Sequence, residues 1–261
     1  MTDHRSNWQL PPGISPGVWD YTQADFIASD YDSYFANHDL LRLDAQIVSD
    51  LLRDPGLVID FGCGTGRSLF PLVQRGFTAI GIDLSNPMLE SASAKREIHN
   101  CEQASFVRAN LVQLECFASE IADYGLCLFS TLGMIEKSEN RIKFLNHVHR
   151  MIKPGGMFVL HVHNQMYNLY DPGGPWWLLR SWFARFRGSE FGDRIYNYRG
   201  IKRFFLHSFG KRELRNLLKK SGFSICEWIP LNRNCSGRLG TISLFETLRA
   251  SGWIVTCRRE T

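Results

Sequence analysis

"IDFGCGTGRS" (59–68) sets Gly62, Gly64 and Gly66 directly behind the short apolar run "LVIDF". Apolar residues breaking abruptly into glycine read as a buried strand that ends in a loop open to close approach by a ligand. Working outward, "TAIGIDL" (78–84) reads as a second buried strand ending in an acid. The following "SNPMLESASAKREI" opens a helix, with Ser85 or Asn86 as its N-cap and Pro87 in the first turn. "ASFVRANL" (104–111), "YGLCLFS" (124–130) and "MFVLHVH" (157–163) read as strands three to five, and 138–152 as an amphipathic helix stopped by "KPGG". A helix over 210–221 and the runs "FSICEWIPL" and "GWIVTCRR" complete the pattern.

Strands alternating with helices, and strands apolar along their whole length, predict an α/β fold. The expected form is a doubly wound, mostly parallel seven-stranded sheet with helices on both faces. Four segments are expected. Residues 1–52 would form an N-terminal arm, extended and partly mobile over 1–17, followed by cap helices. Residues 53–164 would form the ligand-binding core, 165–209 an inserted lid, and 210–261 the last part of the sheet.

The 261-residue chain is 44% hydrophobic, enough for a packed core. No run approaches the roughly 20 apolar residues that span a bilayer. The N-terminus lacks the basic and apolar regions of a secretory signal. Seven scattered cysteines without a C-x-x-C pair argue against disulfides or zinc, so the expectation is a reduced, cytoplasmic protein without a metal. The net charge of +4 is uneven: residues 172–220 hold twelve Lys/Arg and three acids, a net +9, leaving −5 elsewhere.

In open α/β sheets ligands bind beyond the carboxyl ends of the strands. Gly62, Gly64 and Gly66 lie at that end of strand one and Asp83 at that end of strand two, about the separation of ~20 residues expected for an acid holding ribose hydroxyls. Dinucleotide loops read G-x-G-x-x-G, whereas this one reads G-x-G-x-G with Arg67 in the third glycine's place. A P-loop would need Gly-Lys-Ser/Thr, which is missing here. Asp60, at the loop's mouth, would repel a pyrophosphate and suit an ammonium group.

At this point the sequence resembles the class I S-adenosylmethionine-dependent methyltransferases. "VIDFGCGTGRS" is similar to their first motif, "GIDLSNPML" to the segment with their ribose acid, and "IKPGGMFVLHV" to the turn before their fifth strand. The resemblance spans roughly residues 30–165 and implies S-adenosylmethionine as cofactor and S-adenosylhomocysteine as product. It places Asp60, Gly62, Cys63, Gly64 and Gly66 around the methionyl part and Asp83 on the ribose. Leu84 and Met88 would pack on the adenine, and Asn110, where an acid is usual, would face its amino group beside the Leu111 N–H. Phe129 and Ser130 would lie near the sulfonium, and Tyr31 and Tyr34 would cover the cofactor or serve as packing aromatics.

A proton acceptor is needed only where the methylated atom must lose a proton. "HVHN" (161–164) sets His163, the preferred base, and His161 at the end of strand five, with His207 as a second candidate or a surface residue. "PWWLLRSWFARFRG" (175–188) gathers Trp176, Trp177, Leu179, Trp182, Phe183 and Phe186 with three arginines. It reads as a lid helix, a membrane-surface helix, or a nucleic-acid surface. No cysteine follows a proline and no N/D-P-P-aromatic motif follows strand four, so base methylation is disfavoured. The expected acceptor is small or amphiphilic and reacts at O, N or C; anionic groups on it would be drawn to the +9 segment. An RNA-directed methyltransferase, an NAD(P)-dependent oxidoreductase and a non-catalytic cofactor-binding protein stand as alternatives.

Overall fold

The computed structural model describes residues 9–184, 189–240 and 245–260. Ser15 starts the first helix, its hydroxyl accepting the Val18 N–H at 3.4 Å and capping α1 (Pro16–Gln23). Extended residues at Ala24 and His38 then divide the helical spacing into α2 (Asp25–Ser29), α3 (Tyr31–Phe35) and α4 (Asp39–Leu51). The arm expected to be partly mobile is anchored over its described part. The Gly13 carbonyl accepts the Glu136 N–H at 2.8 Å, and the Pro12 carbonyl accepts from Asn110 Nδ2 at 3.0 Å.

The core runs through β1 (Leu57–Phe61), α5 (Phe70–Val73), β2 (Thr78–Asp83), α6 (Asn86–Ile98), β3 (Ala104–Arg108) and β4 (Ala122–Cys127). It continues through α7 (Thr131–Met134), α8 (Ser138–Met151) and β5 (Ile152–His163). Ser85 is the N-cap of α6. The third strand stops at Arg108 rather than 111, because Asn110 Oδ1 turns the chain by accepting the Val112 N–H at 3.1 Å. The fourth ends at Cys127, ahead of Phe129 and Ser130, which both have positive φ (51° and 63°).

After β5 come a 3₁₀ turn (Gln165–Tyr170), α9 (Gly174–Ala184) and the antiparallel hairpin of β6 (Asp193–Tyr198) and β7 (Ile201–His207), which stands outside the main sheet. The chain closes with α10 (Lys211–Lys220), β8 (Phe223–Pro230), α11 (Glu246–Arg249) and β9 (Gly252–Arg259). The seven-stranded sheet has the order β3-β2-β1-β4-β5-β9-β8, with β9 antiparallel to both neighbours and the expected parallel pairing elsewhere. Strand order reverses between β1 and β4, so the switch point falls beside the glycine loop.

Strand alternation divides the core between the two faces. Ile59, Phe61, Phe158, Leu160 and Trp253 face one side with Phe144 and Val148 of α8. Val58, Val159 and Ile254 face the other with Leu40 and Ile47 of α4. The hairpin is held from outside the sheet. Val18 of α1 joins Ile201, Phe204 and Phe205 in a separate cluster, and a Cβ on Gly17 would stand 2.2 Å from the Arg203 carbonyl oxygen. Only a glycine lets α1 sit that close to β7.

Gly17→Ala is therefore expected to destabilise the fold by roughly 1–3 kcal/mol, an overpacking cost, although alanine is the better helix former. Urea unfolding measures this, and an unchanged or raised midpoint would show that α1 is not seated so tightly.

Candidate active site

The centre of the site is the carboxylate of Asp83. Its Oδ2 accepts the Gly64 N–H at 2.8 Å and its Oδ1 the Ser85 N–H at 2.9 Å, tying the loop after β1 to the start of α6. The Gly62 N–H reaches the Ile82 carbonyl at 2.7 Å. Gly62 (φ +87°) also faces Thr131, 2.4 Å from where a Cβ would stand. Gly64 (φ +52°) has no atom within 4 Å of its Cβ position, so its surface is open to a ligand. Enclosure pushes the Asp83 pKa up, and the N–H groups of Ser85, Gly64 and Leu84 hold it back.

Asp60 lines the same cavity, only 2% exposed, and its Oδ1 has no hydrogen-bond partner. Burial pushes its pKa to about 7; Arg67 opposes the rise, while Asp83 and Asp44 add to it. A buried carboxylate oxygen left without a partner is costly unless a donor meets it. An ammonium group supplies one, so the residues fit the methionyl end of S-adenosylmethionine.

Around this pair the cavity wall includes Gly62, Cys63, Gly64, Leu84, Met88 and Tyr31, with Asn110, Leu111 and Phe129 further along. Gly66 shapes the loop instead of lining the cavity, since its Cβ position lies 2.9 Å from the Phe70 ring. Burial raises the Cys63 thiol pKa, which keeps it protonated. Asn110 is already engaged: Nδ2 donates to Pro12 and to Gln113 Oε1, and Oδ1 holds Val112, so one lone pair is left for an adenine. Four cavity residues, Ile14, Val18, Tyr21 and Thr22, come from the N-terminal segment and were missed in the sequence. Their spacing signals a helix but not what that helix covers.

A second cavity of about 550 Å³ adjoins the first and shares Tyr21, Phe129 and Met134 with it. His163 lines it. Burial, then the neighbouring His161 and His38, press the His163 pKa down to about 3, so its imidazole is neutral at physiological pH. The Ser130 hydroxyl accepts the His163 N–H at 3.3 Å, and the Ser130 N–H donates to the His161 carbonyl at 3.0 Å. Two consecutive left-handed residues at the junction of two cavities are the kind of strain that collects at working sites.

The other candidates lie elsewhere. His161 is fully buried beneath α4, with Nδ1 3.4 Å from Asp44 Oδ2, and lines neither cavity. His207 is also fully buried, contrary to a surface role. It sits between Asp193 and Glu213 at 2.8 Å each; burial opposes its charge, but the two carboxylates outweigh this and raise its pKa. Glu190, Asp193 and His207 have the spacing of a metal site, yet Glu190 is bound by the buried Arg141, which ties the hairpin to α8. Arg185, Phe186 and Arg187 fall outside the described residues. No helix among the described residues is long and apolar enough to cross a membrane.

The family profile described as "Methyltransferase domain" matches residues 58–156. A methyltransferase-named protein of Geobacillus sp. (strain WCH70) is 34% identical over 107 residues, 41% of this chain and 42% of that protein. The chain thus spans less than half the length of that relative. A demethylmenaquinone methyltransferase of Lactococcus lactis is 27% identical over 221 residues, 77% of this chain and 81% of its own. The fold matches a Burkholderia thailandensis 1,6-didemethyltoxoflavin-N1-methyltransferase solved with its substrate and S-adenosylhomocysteine. That match has TM-score 0.64 and 18% identity and covers 97% of this chain and 93% of that one. Residues 58–156 thus carry an S-adenosylmethionine-dependent methyltransferase domain of the class I, Rossmann-like kind.

If Asp60 meets the cofactor's ammonium, affinity for S-adenosylmethionine should rise with pH as this carboxyl ionises. Calorimetry between pH 5.5 and 7.5 is expected to show a gain of up to about tenfold per unit below pH ~7. Asp60→Asn should flatten the profile, and a flat wild-type profile would remove Asp60 from the site.

Proposed function

We propose that the chain transfers the methyl group of S-adenosylmethionine to a small aromatic or amphiphilic acceptor held in the second cavity. The observation that carries this reading is the junction itself. Tyr21, Phe129 and Met134 belong to both cavities, so a donor in the first and an acceptor in the second meet across them. When bound, the cofactor supplies an electrophilic methyl on a sulfonium, and its transfer to an acceptor atom leaves S-adenosylhomocysteine.

The protein's part is positioning and exclusion of water. Asp60, the glycine loop and Asp83 hold the donor from one end, while α1 and α3 cover it through Tyr21 and Tyr31. Rings dominate the acceptor wall, among them Tyr34, Phe35, Phe129, Tyr167, Tyr196 and Tyr198. Planar acceptors suit such a wall. Its charged residues, Asp171 and Arg194, pair with each other at 2.6 Å. We therefore read the acceptor as uncharged at this wall, although the +9 segment pointed toward an anionic one. Neutral His163, its pKa pressed too low to hold a proton, instead accepts a hydrogen bond from the acceptor's hydroxyl or amine and so orients it. The Lactococcus and Burkholderia relatives, named for demethylmenaquinone and 1,6-didemethyltoxoflavin, support a small-molecule acceptor.

The test is transfer of labelled methyl from S-adenosylmethionine to a panel of phenols, catechols, heteroaromatic amines and RNA. Transfer to ring compounds supports the reading. Transfer to RNA alone, or none despite cofactor binding, overturns it. With an acceptor in hand, His163→Leu should raise its KM by roughly tenfold and leave cofactor affinity unchanged; an unaltered KM would remove His163 from the acceptor wall.

A further inference from the structure

The helix α9 has two distinct faces. Leu178 and Ser181 are buried, the Ser181 hydroxyl accepts the Gly192 N–H at 3.3 Å, and the Trp177 ring lies 5.7 Å from the Arg194 guanidinium. This side rests on the 3₁₀ turn whose Tyr167 and Asn168 line the acceptor cavity. The opposite side carries Trp176 (72% exposed), Leu179 (47%) and Phe183 (55%), spaced i, i+3, i+7, with Trp182 (49%) beside Phe183. Monomeric proteins rarely leave four large apolar side chains together in water.

The charge around this face says what covers it. Arg180 stands within the stripe, and α9 has no acid. The acids flanking the helix are each engaged: Asp171 is paired with Arg194, Glu190 with Arg141, and Asp193 with His207. The outer surface is therefore apolar and basic. Next to it, exposed Tyr170 lies 5.3 Å from the Arg233 guanidinium, a second ring–cation pair. Tryptophan with arginine on a short helix is the composition of an interfacial segment. Eleven residues reach only about 16 Å, too short to cross a bilayer and long enough to lie in its surface. A second copy of the chain would bring arginine against arginine with no acid on the face. RNA would meet one arginine among four apolar groups.

We propose that α9 docks the protein on an anionic lipid bilayer, with Trp176, Leu179, Trp182 and Phe183 in the headgroup region and Arg180 on lipid phosphates. This rests on the acceptor reading above and deepens it: the acceptor is a membrane-partitioned ring compound that enters its cavity from the bilayer side.

Flotation of the full chain with vesicles tests the docking without any methyl transfer. Vesicles of phosphatidylcholine with 30% phosphatidylglycerol, an arbitrary working composition of about one anionic lipid in three, are compared with phosphatidylcholine alone. The expected result is binding to the anionic vesicles, weakened but not abolished by salt. It should fall at least about tenfold in the pair Trp176→Glu and Trp182→Glu, with cofactor affinity by calorimetry unchanged as the check on folding. Several results would overturn the proposal: no binding to either vesicle, undiminished binding by the variant, or tighter binding to a short RNA than to vesicles. A wild-type dimer that the variant dissociates, without lipid binding, would do so as well. Methyl transfer to soluble acceptors without vesicle binding would sink the docking alone, and vesicle binding without any transfer would sink the catalytic reading alone.

Discussion

Everything in the site depends on one carboxylate being held by two loops at once. Asp83 ends β2 and accepts N–H groups from Gly64 and Ser85, so the turn after β1 and the start of α6 share one anchor. Charge-assisted hydrogen bonds of this kind are among the stronger ones in a fold. The same anchor sets the distance between the open backbone at Gly64 and the edge where a ribose would lie. Asp60, one strand over, is kept apart from Asp83 by the loop and partly neutralised by Arg67. Two carboxylates in one cavity without a bound cation are electrostatically unfavourable. A cationic ligand would relieve that, and an ammonium group fits the unpartnered Asp60 oxygen better than a phosphate would.

The second constraint comes from outside the sheet. The hairpin β6–β7 is pinned from below by Arg141, buried in α8, through Glu190, and by His207 between Asp193 and Glu213. It is pinned from above by α1 through Gly17. The walls of the two cavities are thereby joined: Tyr21 of α1 lines both, and its ring lies 5.3 Å from Phe204 of β7.

Local chemistry explains what was readable in the sequence. The apolar strands, the glycines after β1 and the acid after β2 are short-range signals, and they placed the sheet and the cavity at the ends of β1 and β2. Ser85 as N-cap was equally legible. The acceptor side was not, because its wall is assembled from α1, α3, the 3₁₀ turn and the hairpin, brought together only by tertiary packing. His161 and His163 show the limit clearly. Alternation puts both on one face of β5, but α4 covers that face as far as His161, where Asp44 waits, and stops short of His163. His207 read as a surface residue because its partners, Asp193 and Glu213, reach it through a strand pairing and a helix turn.

The most direct test of the central claim is calorimetric titration of S-adenosylmethionine into the wild type and Asp83→Asn. The substitution keeps the shape and removes the charge that holds both loops. One site per chain is expected in the wild type, with a loss of roughly ten- to hundredfold in affinity in the variant, the value of a charged hydrogen bond. Wild-type affinity in the variant, or no S-adenosylmethionine binding by the wild type, would contradict it.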